Sequence, residues 1–485
     1  MPFASPRSCQ MSESSPHCCP SVFGLWHHWW TKDAGGREVF RLAFPMIISS
    51  GSFALMQFAD RVFLTWYDPN AMAAAFSAGQ LLWLFVAFPF SIMAYTNAFV
   101  SQYNGSRQFR QIGSIIWQGI FLTILLTPIY LLLMPWTDDI FRLWHEESVV
   151  KMESAYLFWL LWGVPPMLGN EVLASFFSGR KRTKTVMLVN VLALVLNAVL
   201  DYQLIFGYRA IPSMGLSGAA IATTISQWFR FAIFFFLTWR ADHRATGRYH
   251  FIRGCRLNFP QQRLLLKLGG MGGVQFSIEM GITAIFILLL GMVGTDAAAS
   301  SAIAFNLNAF TFLPVLGLGN AATTLVGNYI GMERIDLARR STRTSLTIGL
   351  FFTTIFMILY IFFPHLLLAA YFRGNAESIA SLSTLTTILL KFVAVYLLFD
   401  TANMIFASAL RGAGDTCFLL LVSIISIPFF TVIPWIGVHY FQFGVYWCWS
   451  IITGFFCVSS VIFLLRFRFG RWKKSFVQTD DSSNL

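Results

Sequence analysis

The chain has 485 residues, of which 56% are hydrophobic and only 12% charged, with a formal net charge of +12 and a mean hydropathy of +0.64. Soluble domains carry about 25% charged residues, so this composition excludes a water-soluble globular fold and points to a membrane protein. A positive balance would also suit a nucleic-acid binder, but its distribution along the chain argues against one.

Residues 1–37 are rich in Ser, Pro and His and lack a continuous apolar core. They predict a disordered tail rather than a cleaved signal peptide. Cys9, Cys18 and Cys19 lie there with His27 and His28 nearby, at no zinc-site spacing. Cys255, Cys417, Cys448 and Cys457 form no paired framework either.

Twelve apolar runs follow, near 39–64, 73–99, 112–134, 153–177, 185–207, 216–239, 264–290, 297–327, 344–368, 383–409, 416–438 and 443–466. Each is long enough to span a bilayer, and lipid requires backbone amides to be satisfied within the segment, so each predicts a helix. The second and eighth are long, which predicts tilt or a kink at Pro89 and Pro314.

Arg107 and Arg110, the cluster Arg180, Lys181, Arg182 and Lys184, and the arginines of the 240–263 loop all fall in alternate connections. So do Arg334, Arg339, Arg340, Arg343 and Arg411, whereas the opposite connections hold only Arg61, Arg142, Lys151, Arg209 and Arg373. The positive-inside rule then places both termini in the cytoplasm. The charge is therefore a topological signal, reinforced by anionic lipid, and no nucleic-acid partner is expected.

The chain also repeats itself. "AMAAAFSAGQ" (71–80) matches "AAASSAIAFN" (297–306) and "VSQYNG" (100–105) matches "VGNYIG" (326–331), while "ASFFSGRKRT" (174–183) matches "ASALRGAGDT" (407–416). Two six-helix halves in one orientation fit this pattern, a transporter architecture with the path between the halves. The organisation expected is a tail at 1–37, an N-lobe at 38–240, a basic linker at 241–263, a C-lobe at 264–467 and a tail at 468–485.

Asp60, Glu171, Asp201, Glu279 and Asp400 are the acids predicted deep in the spans. A charge at the bilayer centre costs about 2.5–3.5 kcal/mol on insertion scales, so such acids point to function unless they serve structural hydrogen bonds. Asp60 has Arg61 beside it, but adjacent helical residues do not face each other, which leaves Asp60 free to point inward. Asn197 and Asp201 share a helical face, with Asn190 a heptad back. Amide and carboxylate oxygens suit a proton or a hard cation. Tyr396 and Asp400 share another face, and Glu171 is expected to pair with the bases of "GRKRTK".

On the stretches "LAFPMIISSGSFALMQFADRVFL", "NAVLDYQLIFG", "MGLSGAAIATTISQW" and "FDTANMIFASALRGAGDT", residues 38–465 resemble the multidrug and toxic compound extrusion family. The resemblance implies an all-α polytopic membrane protein, with twelve transmembrane helices in two pseudo-symmetric six-helix bundles around a V-shaped cleft. It implies a cation site in the N-lobe at Asp60, Asn197, Asp201 and Thr223. It also implies a C-lobe site at Glu279, Tyr396 and Asp400, where Na⁺ would bind in the sodium-coupled bacterial branch. The family's usual small residues after the first-helix acid are replaced here by Arg61, Trp66 and Tyr67.

The function implied is antiport of Na⁺ or H⁺ against an amphipathic, cationic organic compound, by a monomeric carrier in the inner cell membrane that needs no cofactor. The alternatives are a flippase of a lipid-linked saccharide from the same superfamily, which would want cationic cavities beyond the mid-span Arg230 and Lys391, and a membrane enzyme or receptor. No P-loop, metal-ligand spacing or Ser/His/Asp constellation supports an enzyme.

Overall fold

The computed structural model describes residues 29–142, 147–208, 212–368, 376–470, 472, 473, 475 and 476. Cys9, Cys18, Cys19, His27, His28, Arg209 and Arg373 lie outside the described residues. The first six long helices are α1 (Gly36–Tyr67), α2 (Pro69–Gly105), α3 (Phe109–Leu133), α4 (Glu147–Ser178), α5 (Thr183–Phe206) and α6 (Gly215–Arg244). The next four are α7 (Phe259–Val293), α8 (Thr295–Gly331), α9 (Ile335–Phe362) and α10 (Ala376–Ala413). The last two are α11 (Thr416–Phe430, continued by Val432–Tyr440) and α12 (Val445–Phe469).

Every apolar run became one of these helices, and most helices extend past the apolar stretch because their amphipathic ends escape a hydropathy count. The largest shift is α9, predicted at 344–368. Its start carries Asp336, Arg339, Arg340 and Arg343, while Leu337, Ala338, Ser341, Thr342, Thr344 and Ser345 are buried. It ends at Phe362, just ahead of Pro364, as a proline demands. Helices α2 and α8 run unbroken through Pro89 and Pro314. The break falls instead at Thr431 of α11 (φ −122°, ψ −69°). Restarting there puts Pro434 in a first helical turn, where its missing N–H costs nothing.

The two halves pack alike. Contacts of α1 with α5, α2 with α4, and α4 with α6 are matched by those of α7 with α11, α8 with α10, and α10 with α12. Between the halves, α1 lies on α8 as α7 lies on α2, and α2 crosses α8. Val39, Leu42, Ala43 and Met46 at the start of α1 belong to a core built mainly from α8 and α10.

Hydrogen bonds between the halves gather at the end that carries the arginine-rich connections, called here the basic end. Gln102 Nε2 donates to Gly412 O (3.0 Å), and Asn328 Nδ2 donates to Gly179 O (2.8 Å). Asn104 Nδ2 adds a bond to Asn328 Oδ1 (2.6 Å), and Tyr95 Oη one to Arg411 O (3.2 Å). Glycine permits this approach: a Cβ on Gly105 would stand 2.1 Å from Asn328 O, and one on Gly331 2.2 Å from Gln102 O. By contrast, Gly51, Gly79, Gly281 and Gly291 have open space around them. The cleft between the bundles is thus closed at the basic end.

The N-terminal tail differs from expectation where it is described. Residues 29–37, predicted disordered, pack on the bundle: Ala34 is buried and its carbonyl accepts from Thr344 Oγ1 (3.0 Å). In the C-terminal tail, Trp472 stacks on Phe467 (4.7 Å between centroids), Phe476 meets Phe99 (4.8 Å) and Ser475 Oγ donates to Gln102 Oε1 (3.0 Å). Aromatic residues in otherwise polar tails found apolar surface at the base of the bundle. The central stretch is helical at both ends, and its loop folds back on Asp242, whose carboxylate accepts from Tyr249 N (2.8 Å) and Phe251 N (2.9 Å).

Candidate functional site

The buried stripe of α1 runs through Met56, Asp60 and Leu64, four residues apart, so the packing that fixes the helix also turns Asp60 inward. Asp60 is 6% exposed, whereas Arg61 points outward and lies over the Phe76 ring (5.4 Å). On α5 the buried stripe is Val186, Val189, Ala193, Asn197, Asp201 and Ile205. Asn197 and Asp201 are each fully buried.

Helix α6 closes the third side, and Thr223 Oγ1 donates to Asp60 Oδ2 (3.2 Å). Asp60 and Asp201 are both buried and close enough for each carboxyl to act electrostatically on the other. Two carboxylates are acceptors only, so a hydrogen bond between them requires a proton on the pair. Asp60 Oδ1, both Asp201 oxygens and both Asn197 side-chain atoms have no donor or acceptor from other described residues. Carboxylate and amide oxygens converging in this way are the donor set of a proton or a hard cation. All four N-lobe residues singled out in the sequence are therefore neighbours. Tyr156 of α4, buried and within electrostatic range of both carboxyls, carries no spacing signal in the sequence that ties it to them.

One to two turns nearer the basic end, the same three helices enclose a cavity of about 20 Å³. Its wall includes Ser52 and Phe53 of α1, Asn190 of α5, and Ser226 and Arg230 of α6. Asn190 Nδ2 donates to Ser49 Oγ, while Asn190 Oδ1, Ser226 Oγ and Arg230 Nε have no described partner. Arg230 is held by Glu171 of α4 (3.3 Å). That corrects the expected pairing of Glu171 with "GRKRTK". Glu171 stands seven residues, about 10 Å of helix, before the end of α4 at Ser178, and the bases of that stretch lie in the turn beyond it. Arg180 instead donates to Phe176 O (2.7 Å) and stacks over the Phe176 ring (3.6 Å).

In the second half, Glu279 Oε1 accepts from Gln275 Nε2 (2.9 Å) and from Ser423 Oγ of α11 (3.2 Å). Asp400 lies within electrostatic range of Glu279 and of Tyr396. Among the described residues Tyr396 and Asp400 share no hydrogen bond, and the Tyr396 ring stacks on Phe456 (5.1 Å) and Trp449 (6.3 Å). Gln275 and Ser423 are the residues missed here. Gln275 stands four before Glu279, a spacing that signals one face; Ser423 comes from a distant helix and has no local signal. Among the described residues no group of three or more His, Cys, Asp or Glu side chains is placed to hold a metal ion.

A family model, MatE, matches residues 45–203 and 273–436, one block in each half. The probable multidrug resistance protein NorM of Mesorhizobium japonicum is 27% identical over 388 residues, covering 78% of this chain and 82% of that protein. The multidrug resistance protein MdtK of Proteus mirabilis is 28% identical over 396 residues, covering 80% of this chain and 84% of that one. A solved structure of a multidrug resistance MATE family transporter of the MOP superfamily, in an outward-facing conformation, superposes with a TM-score of 0.80. It shares 19% identity, over 91% of this chain and 97% of its own.

Proposed function

The chain belongs to the MatE family, and on that premise we infer that it is an antiporter: Na⁺ or H⁺ enters while an amphipathic organic cation leaves. The observation that carries this reading is the buried pair of acids Asp60 and Asp201, whose oxygens lack donors apart from Thr223 at Asp60, with Asn197 one turn from Asp201. Such a pair is satisfied only when a proton or a cation neutralises it. Loading and unloading therefore alter the packing of α1 against α5 and α6.

Alternating access follows if the loaded and empty pairs stabilise different arrangements of the two halves. Coupling needs only that cation and organic compound prefer different states. Closure at the basic end by Gln102, Asn328, Gly179 and Gly412 is one such arrangement. The counterpart arrangement breaks these bonds and closes the other end. Glu279, Asp400 and Tyr396 form the alternative coupling site, suited to Na⁺ through the Glu279 and Asp400 oxygens and the Gln275 carbonyl, which has no described partner. The lobes are assigned to 38–240 and 264–467, with 241–263 between them, in a monomer of the inner cell membrane. The basic end faces the cytoplasm under the positive-inside rule.

A saccharide-lipid flippase is disfavoured by the same geometry. Of its two mid-span bases, Arg230 is already paired with Glu171, which leaves Lys391 of α10 as a lone base rather than a cationic cavity.

The test is efflux of a fluorescent organic cation from proteoliposomes under an imposed Na⁺ gradient and then an imposed pH gradient. Na⁺-driven efflux assigns coupling to Glu279 and Asp400, and pH-driven efflux to Asp60 and Asp201. Silence of the folded protein under both gradients overturns the reading.

A further inference from the structure

At the basic end, the first turns of α1 and the turn between α4 and α5 enclose a second cavity, of about 430 Å³. That volume falls within the range of roughly 300–1,000 Å³ typical of small-molecule sites. Four bases line it, Arg41, Lys181, Arg182 and Lys184, against one acid, Glu38. The acid is already engaged: its carboxylate takes Lys181 Nζ (2.8 Å), Tyr329 Oη (2.6 Å) and Ala34 N (2.9 Å). Among the described residues Arg41, Arg182 and Lys184 have no carboxylate within ion-pair distance, so three uncompensated cations converge on one space.

Helix α5 starts at the same place, with Arg182 at its N-cap and no side chain capping it. Its free N–H groups add positive potential and a ready anion cradle. The concentration is specific to these side chains, since Arg180 of the same turn is 8% exposed and stacked beneath the helices.

What adjoins the cavity identifies the ligand. Lys184, Leu188 and Leu192 share one face of α5, and the two leucines are 58% and 53% exposed. On α1, Phe44 stands one turn from Arg41, is exposed and stacks on Phe40 (5.6 Å), which in turn meets Trp30 (6.2 Å). Aromatic residues at this level mark the membrane interface. A charged pocket that continues into bare apolar helix faces suits a phosphate carrying acyl chains better than a free anion.

We propose that this cavity binds the phosphate headgroup of an anionic phospholipid, with the acyl chains running along α1 and α5. The lipid clamps the start of α1 to the α4–α5 turn. Glu38 on that segment reaches Tyr329 of α8, and Gly179 O in that turn accepts from Asn328. Bound lipid therefore favours closure at the basic end. The site stands apart from the cation-coupling reading, because none of its residues touches the acids.

The test uses the full chain in nanodiscs, comparing phosphatidylglycerol with phosphatidylcholine and reading lipid retained after detergent extraction together with thermal stability. Wild type should retain phosphatidylglycerol and unfold at a higher temperature with it. The variant Arg41→Gln/Arg182→Gln/Lys184→Gln should lose retention on the order of tenfold or more. Arg339→Gln/Arg340→Gln/Arg343→Gln removes equal charge from the same end and should retain the lipid as wild type does. Equal loss in both variants would show diffuse attraction and overturn the site. Inorganic phosphate that stabilises the protein equally in phosphatidylcholine would overturn the lipid assignment. Should the triple variant not insert, Arg41→Gln and Lys184→Gln singly should each lower retention severalfold, and wild-type retention by both would refute the proposal.

Discussion

Replacing Gly105 with alanine should open the basic end. The new Cβ would stand 2.1 Å from Asn328 O, about 1.2 Å inside the roughly 3.3 Å at which carbon and oxygen settle. Both sides of the clash are backbone, so no rotamer change relieves it, and α2 and α8 must part locally by about 1 Å. The hydrogen bonds Asn104 to Asn328 (2.6 Å), Asn328 to Gly179 (2.8 Å) and Gln102 to Gly412 (3.0 Å) surround that point. Lengthened by ~1 Å, each passes the limit of hydrogen-bond geometry. At about 0.5–1.5 kcal/mol for each bond, losing two or three shifts the equilibrium by roughly 2–3 kcal/mol. That is about 30- to 150-fold towards the state open at the basic end. Pulsed electron resonance between spin labels at 110 and 332, both exposed at that end, should show a longer distance population in Gly105→Ala. Gly270→Ala, whose added methyl meets nothing within 4 Å, should match wild type. An unchanged distance distribution in Gly105→Ala, with wild-type transport, would refute the idea that this contact holds the halves together.

Three other outcomes follow from the site. Asp201→Asn should insert and fold yet lose cation-driven export, while Thr223→Val, which deletes one donor to Asp60, should slow it only severalfold; proteoliposome efflux decides, and wild-type rates in Asp201→Asn would remove the acid pair from the mechanism. Arg230→Gln leaves Glu171 without its cation and should lower stability by about 1.5–3 kcal/mol, with the double variant Arg230→Gln/Glu171→Gln recovering part of it. Thermal unfolding in detergent checks this, and a double variant no more stable than the single would mean that Glu171 does not compensate Arg230. If Na⁺ is the coupling ion, Glu279→Gln and Asp400→Asn should each abolish Na⁺-driven efflux. Retained Na⁺ dependence in both would exclude the second-half cluster.

Much of this was legible in the chain because membrane helices are limited by one strong rule, internal satisfaction of the backbone in lipid. Twelve apolar runs gave the twelve long helices seen among the described residues for that reason. Asp60, Asn197 and Asp201 were legible as a site because helical spacing alone puts them on buried stripes, and burial makes an acid conspicuous. The partner of Glu171 was not legible, because nearness in sequence to Arg180 is poor evidence of contact when about 10 Å of rigid helix separates Glu171 from the turn that holds Arg180. Arg230, from another helix, met it instead. The docking of Trp472 and Phe476 was illegible, since a tail's composition does not tell which groove awaits its aromatic side chains.

The repeat shows which features the two halves keep in common. At the offset of 226 residues, Gln102 corresponds to Asn328 and Gly105 to Gly331; at 233, Gly179 corresponds to Gly412. Gln102 and Asn328 each donate to the glycine carbonyl of the opposite half, so the closure at the basic end has approximate two-fold symmetry. The acids do not. Asp60 corresponds to Phe286 and Asp201 to Pro434, while Glu279 corresponds to Phe53 and Asp400 to Met167. Phe53 lines the small cavity beside Asn190, and Asn190 corresponds to Ser423, which donates to Glu279. The second-half acid thus occupies the level of the first-half cavity, seven residues or about 10 Å along the helix from the level of Asp60. Parting the halves requires both members of a symmetric contact to release together, which favours retaining the repeat at the closure. A charge inside one bundle has no such partner, so each half can place its acids independently, and loading one half need not load the other.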